Sequence, residues 1–232
     1  MATYVLVHGA GDAGWYWHLA EAELRSRGHH TVAPDLPCDN STASLGDYAA
    51  TVADAAAGMR DLVIVSQSYG AFAATLAASQ LLARLLVLVA GMIPVPGESP
   101  GQWWDNAGYR QAAEQQARLD GGKTGHDDPF ITYYNGVPRP LAEEALARGG
   151  RGESSVVWDT PWPLDAWPDV PTRFIVCKDD QFFPAAFLRR VARQRLGIVP
   201  DEVPGCHCVA LSHPRELADL LVSYLDPSDP RT

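Results

Sequence analysis

The chain has 232 residues, with 18 lysines and arginines against 28 aspartates and glutamates, and its formal net charge is −10. An acidic protein repels phosphate backbones and anionic lipid, so nucleic acids and membrane surfaces are excluded as expected partners. The length suits one domain that buries its core without metal ions or disulfide bonds, and the four cysteines are predicted to be free thiols.

The N-terminus opens directly into an apolar run at residues 3–7, without the basic segment, long apolar stretch and cleavage site of a secretory signal. No uninterrupted apolar stretch approaches the roughly 18 residues that a membrane span needs. The sequence therefore predicts a soluble, cytoplasmic protein.

Short apolar runs rich in β-branched residues alternate with longer stretches of helical spacing. These runs predict strands at 4–7, 31–33, 62–65, 85–89 and 173–176, with a weaker sixth strand near 202–203. Such alternation is typical of βαβ units. We predict an α/β fold with a mostly parallel six-stranded sheet, helices on both faces and a frayed tail at 226–232.

A glycine-rich segment, residues 8–15, follows the first predicted strand. Glycines there let a backbone N–H turn towards a reacting group. Alone this is a weak signal that would also suit phosphate binding, but the segment lacks the G-x-G-x-x-G spacing of dinucleotide sites. Its interpretation depends on the serine motif that comes next.

Residues 62–71 combine an apolar strand, a sharp turn with small residues at Ser66 and Gly70, and the start of an alanine-rich helix. This context is typical of a nucleophile elbow, and Ser68 is the predicted nucleophile. Serine replaces the usual glycine at position 66, which its small size tolerates. Ser66 is the rival nucleophile, but no turn follows to expose it. The N–H groups of Ala10 and Tyr69 are predicted to form the oxyanion hole.

The strand pattern stops between about Pro94 and Pro171, and this segment holds five of the seven tryptophans. We predict a core of residues 1–93 and 171–232 with a helical cap inserted at 94–170. The aromatic side chains would either form a lid over a pocket or pack the cap onto the core, and we favour the lid. The predicted substrate contacts are Trp104, Tyr134 and Trp158 in the cap and Asp12 and Phe182 in core loops.

The acid and the base of a serine triad should follow the nucleophile in that order. Asp179 and Asp180 end the fifth predicted strand, and we favour Asp180 because it lies in the turn proper, whereas Asp179 can face solvent or pair with Lys178. The predicted base is His207, which follows a short strand and a glycine, whereas His213 lies beside a proline at a helix start. The flanking cysteines lack zinc-site spacing, so no metal is expected.

These motifs resemble the α/β-hydrolase superfamily, and within it the plant methylesterase and hydroxynitrile lyase group with its bacterial relatives. The resemblance spans nearly the whole chain, through residues 8–17, 28–36, 66–70 and 176–184 and the spacing of His207 from Pro214. It implies the minimal form of the α/β-hydrolase fold, with Ser68, Asp180 and His207 as the triad and the N–H groups of Ala10 and Tyr69 as the oxyanion hole.

Two positions differ from the cyanohydrin-cleaving members, which carry a lysine after the histidine and a threonine in the first loop. Here these positions are Cys208 and Gly9, so the group that would receive cyanide is missing. We therefore expect hydrolysis of an ester, lactone or thioester of a small, largely apolar molecule through an acyl-enzyme, with no cofactor, by a monomer or homodimer. A C–C hydrolase or other biosynthetic enzyme on the same triad, and a ligand-binding scaffold without hydrolysis, remain the alternatives.

Overall fold

The computed structural model describes residues 1–226; positions 227–232, which hold nearly all of the predicted frayed tail, lie outside the described residues. One sheet runs in the order β2-β1-β3-β4-β5-β6, and every pairing is parallel. The prediction of a six-stranded α/β fold is confirmed, and the sheet is parallel throughout. The strands are β1 (Thr3–Val7), β2 (His30–Val32), β3 (Leu62–Gln67), β4 (Leu85–Val89), β5 (Thr172–Cys177) and β6 (Asp201–Val203).

The central strands are buried along their whole length, which is why their sequences are continuous apolar runs rather than alternating ones. Every residue of β1, β3 and β4 is buried, as expected for a parallel sheet covered on both faces. In the register, Val7 pairs with Ser66 and Gln67 pairs with Val89. The carboxyl ends of these strands are therefore level, and the loops that follow them meet at one edge.

Helices surround this sheet, with α1 packed against α11 and α2 against α3. Among the helices of residues 1–226, none combines the length and hydrophobicity that crossing a bilayer requires. The helices of the described residues are α1 (His18–Ser26), α2 (Leu45–Ala55), α3 (Ala71–Gln80), α4 (Pro100–Asn106), α5 (Tyr109–Asp120), α6 (Pro129–Thr132), α7 (Arg139–Arg148), α8 (Ser155–Asp159), α9 (Ala185–Leu196), α10 (Val209–Ser212) and α11 (Pro214–Ser223).

The segment between β4 and β5 contains α4 to α8, and two buried tryptophans attach it to the core. Trp103 donates its indole N–H to the carbonyl of Ile93 at 3.0 Å, and Trp162 donates to the hydroxyl of Thr75 at 3.1 Å. Both indoles are almost fully buried. These two rings pack the segment between β4 and β5 against the rest of the protein. For these two tryptophans, the structure shows packing, which was the alternative to a lid.

Candidate active site

Ser68 lies in the turn between β3 and α3, in a backbone conformation that is unusual for a residue with a side chain. Its φ is +52°, in the left-handed region. For a residue other than glycine this costs on the order of 1–3 kcal/mol, and such strain concentrates at functional sites. The N–H of Met92 donates to the carbonyl of Ser68 at 3.0 Å and ties the turn to the end of β4. The strand–turn–helix context predicted for this serine is present.

Two glycines allow the first loop to lie against this turn. A Cβ on Gly70 would lie 2.3 Å from the carbonyl oxygen of His8, and a Cβ on Gly9 would lie 2.2 Å from Oε1 of Gln67. The contact at Gly70 is with backbone, so this position requires glycine, whereas at Gly9 the side chain of Gln67 would have to move. The close approach of Gly70 to the backbone of His8 holds the loop that carries Ala10 beside this turn.

Ser66, the rival nucleophile, lies within β3 and is fully buried. Its hydroxyl has no hydrogen-bond partner among the described residues. The cavity that contains Ser68 is not lined by Ser66. The structure thus separates the two serines in the way the sequence predicts.

His207 and Asp180 form a buried hydrogen-bonded pair. Nδ1 of His207 lies 2.8 Å from Oδ2 of Asp180, and both side chains are almost inaccessible to solvent. The other oxygen of Asp180 accepts the backbone N–H groups of Phe182 at 2.7 Å and Phe183 at 2.8 Å. These two bonds to Oδ1 fix the orientation of the carboxylate, so that Oδ2 faces the imidazole.

Asp179 faces solvent, one of the two alternatives that the sequence left open, and it also makes a contact that the sequence did not suggest. It is exposed, but its carboxylate accepts the N–H of Gly205 at 2.9 Å rather than pairing with Lys178. Its own N–H donates to the carbonyl of Gly205 at 3.0 Å. Asp179 therefore joins the turn after β5 to the loop that carries His207, and the neighbouring Asp180 is the carboxylate that meets the imidazole.

A cavity of about 380 Å³ lies at the carboxyl edge of the sheet and contains Ser68 and His207. The residues predicted to form the oxyanion hole and those predicted to contact substrate all line it. These are Ala10, Tyr69, Asp12, Trp104, Tyr134, Trp158 and Phe182. Further residues that line the cavity were not predicted as substrate contacts from the sequence. The aromatic composition of residues 94–170 indicated this segment in general but not its individual lining residues. These further residues are Tyr133, Met92, Gln67 and Leu146.

Aromatic rings surround His207 on one side of the cavity. The ring of Phe182 lies 4.9 Å from the imidazole, that of Phe183 at 5.3 Å and that of Tyr133 at 5.9 Å. Trp158 and Tyr69, which also line the cavity, pack against each other with ring centroids 5.0 Å apart. The imidazole and its carboxylate are thus shielded from water, which strengthens the electrostatic interactions between them.

The first loop is also fixed from the cap by residues that sequence reasoning missed. The N–H of Gly11 donates to Oε1 of Glu153 at 2.7 Å, and the N–H of Arg151 donates to the carbonyl of Gly11 at 3.1 Å. The N–H of Leu36 donates to Nε2 of His8 at 3.0 Å, and burial lowers the pKa of this histidine to about 4. His8 therefore stays neutral and acts as a structural acceptor beneath the loop.

The four cysteines are all buried and unpaired. Burial raises the pKa of Cys206 to about 11, so it is a neutral thiol near pH 7. Within residues 1–226, no cluster of three or more histidine, cysteine, aspartate or glutamate side chains is arranged to hold a metal ion.

Comparison with known proteins agrees with this architecture. The chain is 29% identical to norfluorocurarine synthase 2 of Strychnos sp., over 96% of this chain and 95% of that protein. It is 26% identical to a pyrethroid hydrolase of Sphingobium wenxiniae, over 96% and 87% respectively. The crystal structure of polyneuridine aldehyde esterase superposes with a TM-score of 0.80 at 19% identity, covering 97% of this chain and 100% of that one. The sequence profile of the alpha/beta hydrolase family matches residues 4–220, and the chain belongs to that family.

Proposed function

We propose that the protein is a serine hydrolase that cleaves a carboxylic ester of a small, largely apolar molecule through an acyl-enzyme. One observation carries the proposal. His207, which is paired with the buried Asp180, and a serine with a positive φ directly after a strand line the same cavity. An activated hydroxyl nucleophile requires a base within its reach, and an imidazole oriented by a carboxylate is such a base.

In the proposed mechanism, the carboxylate of Asp180 accepts a hydrogen bond from Nδ1–H of His207, which leaves Nε2 free to act as a base. Nε2 takes the hydroxyl proton of Ser68 while Oγ attacks the ester carbonyl. His207 then protonates the departing alcohol, and water releases the acid from the acyl-enzyme by the reverse sequence of proton transfers.

The negative charge on the attacked oxygen needs donors that are in place before the reaction. The N–H groups of Ala10 and Tyr69 are proposed for this role, each contributing about 2.7–4 kcal/mol in comparable sites. The contacts of Gly11 with Arg151 and Glu153 support this assignment. They hold both the N–H and the carbonyl of Gly11, the residue after Ala10, and so fix the main chain at this point.

The cap at residues 94–170 is proposed to close over the acyl and alcohol parts of the substrate. Trp104, Tyr134 and Trp158 line the cavity from this segment, and Phe182 and Asp12 line it from core loops. A relative that spans most of this chain is named a pyrethroid hydrolase, which supports hydrolysis among the reactions that this fold can host.

Hydrolysis of p-nitrophenyl butyrate by matched serine variants tests the proposal. Ser68→Ala should lower kcat by at least about 10⁴-fold, since the nucleophile is lost. Ser66→Ala is the control, since Ser66 lies two residues before Ser68, within β3 and outside the cavity. Both variants should keep the wild-type circular dichroism spectrum. A folded Ser68→Ala variant that retains wild-type turnover would refute the proposed nucleophile.

A further inference from the structure

The cavity has an uneven distribution of charge. Among the described residues that line it, Asp12 is the one carboxylate, and none is a lysine or an arginine. The remaining wall is largely aromatic and includes Trp104, Tyr133, Tyr134 and Trp158. A neutral, apolar ester would leave this carboxylate without a counterpart. A substrate that carries a positive charge would supply the missing counterpart.

The carboxylate of Asp12 is only partly satisfied by the protein. Oδ1 accepts the N–H of the adjacent Ala13 at 2.8 Å, and Oδ2 accepts no hydrogen bond from the described residues. The nearby guanidinium of Arg151 is engaged elsewhere. It donates to the backbone carbonyls of Asp12 and Leu36, at 3.2 Å and 2.9 Å, and to the carboxylate of Asp39 at 2.9 Å.

Burial raises the pKa of Asp12 to about 6, with the nearby Asp35 acting in the same direction. The Ala13 N–H and the charge of Arg151 act against this shift but do not cancel it. Ionisation of Asp12 is thus less favourable here than in water, and a cation placed beside Oδ2 would compensate for that penalty. Aromatic faces also attract ammonium groups, most strongly those of tryptophan.

We propose that the substrate carries a basic nitrogen, protonated or quaternary, which Asp12 and the surrounding aromatic rings bind while the ester lies at Ser68. This inference rests on the proposed function and specifies its substrate class. The chemistry stays that of ester hydrolysis. The acyl–oxygen bond of the substrate breaks, a bond forms between the acyl carbon and Oγ of Ser68, and the serine proton passes through His207 to the leaving alcohol. The nitrogen takes no part in bond changes.

Pairs of esters that differ only in charge test this proposal. Choline butyrate and its neutral isostere 3,3-dimethylbutyl butyrate place a trimethylammonium or a tert-butyl group at the same position of the alcohol. A second series carries the same two groups on the acyl chain, and both series include several spacer lengths. The wild type should show a kcat/KM about ten-fold or more higher for the ammonium member of at least one pair.

Asp12→Asn should lower the ratio of the two kcat/KM values to the smaller part that the aromatic rings alone supply. A ratio is used because any effect of the substitution on the first loop acts on both esters and cancels. Asp35→Asn is the matched control. It removes a neighbouring carboxylate that does not line the cavity, and the new amide oxygen can still accept the N–H of Gly14, as Oδ1 of Asp35 does at 2.7 Å. The ratio should persist in this variant.

The pH dependence of the same ratio gives a second readout. Asp12 is ionised above a pH of about 6 and protonated below it, so the preference for the ammonium ester should fall as the pH drops through this value. His207 also lies near Asp12 and lowers the pKa of its carboxylate, against the effect of burial. The other titratable or charged groups around Asp12 are Arg151, whose pKa is raised, the carboxylate of Asp35, and Tyr16, Tyr134 and Cys208, whose pKa values are raised by burial.

The outcomes separate this inference from the proposed function. Hydrolysis of both members of every pair with no preference for the ammonium ester overturns the inference and leaves the serine hydrolase intact. An ammonium preference that is undiminished in Asp12→Asn also overturns it. If neither ester is cleaved and Ser68 is not phosphonylated by a fluorophosphonate, the proposed function itself fails. An ammonium preference that is reduced only in Asp12→Asn supports both.

Discussion

Replacing Asp180 by asparagine should remove most of the turnover because it forces the imidazole into the wrong tautomer. Oδ1 of Asp180 accepts two backbone N–H groups, from Phe182 and Phe183. An asparagine must place its amide oxygen there, since its NH₂ group cannot accept these bonds. The NH₂ group then faces Nδ1 of His207, which becomes an acceptor, and the imidazole proton moves to Nε2. His207 can no longer take the proton of Ser68.

The size of the loss in kcat depends on the free energy of the second orientation that the asparagine amide can adopt. If the amide flips, its oxygen faces His207, but two buried N–H groups lose their acceptor, at about 1–3 kcal/mol each. The productive orientation is then disfavoured by about 2–6 kcal/mol, which corresponds to a loss of roughly 30-fold to 10⁴-fold. The upper end is the scale known for this substitution in a serine triad.

Steady-state hydrolysis of p-nitrophenyl butyrate measures this loss, and thermal unfolding checks that the variant is folded. Asp179→Asn is the control, because its amide oxygen can still accept the N–H of Gly205 that Oδ2 accepts now. Its kcat should fall by less than about ten-fold, as expected for an exposed carboxylate. A kcat of Asp180→Asn within ten-fold of the wild type, or an equal loss at Asp179, would refute this reasoning.

Three further predictions concern packing around the site. Ser66→Ala should keep or raise the unfolding midpoint, because it removes a buried hydroxyl that lacks a partner among the described residues, and a clear decrease would reveal a contact for it. Gly70→Ala should lower both the unfolding midpoint and the activity, since the new Cβ would meet the carbonyl oxygen of His8 at 2.3 Å. A wild-type midpoint would contradict that close approach. Trp162→Ala should cost roughly 3–5 kcal/mol of stability and slow all esters alike, whereas Trp158→Ala should mainly change the ratio of kcat/KM between long and short acyl chains. Identical behaviour of the two variants would contradict a lid.

The sequence predicted the parts of the site that local patterns encode. Ser68 was identifiable because a strand, a small-residue turn and a helix follow one another within ten residues. Asp180 and His207 followed from chain order and turn position, and the structure brings the two side chains together. Whether Asp179 would face solvent or pair with Lys178 was open, and its bond with Gly205 was not predicted, because Gly205 is distant in the sequence.

Contacts between distant segments could not be predicted. The clamp of Gly11 by Arg151 and Glu153 joins residues about 140 positions apart, and nothing in either local sequence indicates the other. Composition also could not separate the tryptophans of the cap. Trp103 is buried against the core while the adjacent Trp104 lines the cavity. Which of the two tryptophans contacts the cavity therefore depends on the orientation of α4 against the rest of the protein.

Reaction of the wild-type protein with a fluorophosphonate, followed by mass mapping of the modified peptide, tests the proposed nucleophile most directly. A fluorophosphonate phosphonylates a serine only when a neighbouring base and an oxyanion hole activate it. We predict a single adduct, on Ser68, that forms far more slowly in His207→Ala. An adduct on Ser66, or none on Ser68 in folded protein, would contradict the assignment of this cavity as a serine hydrolase active site.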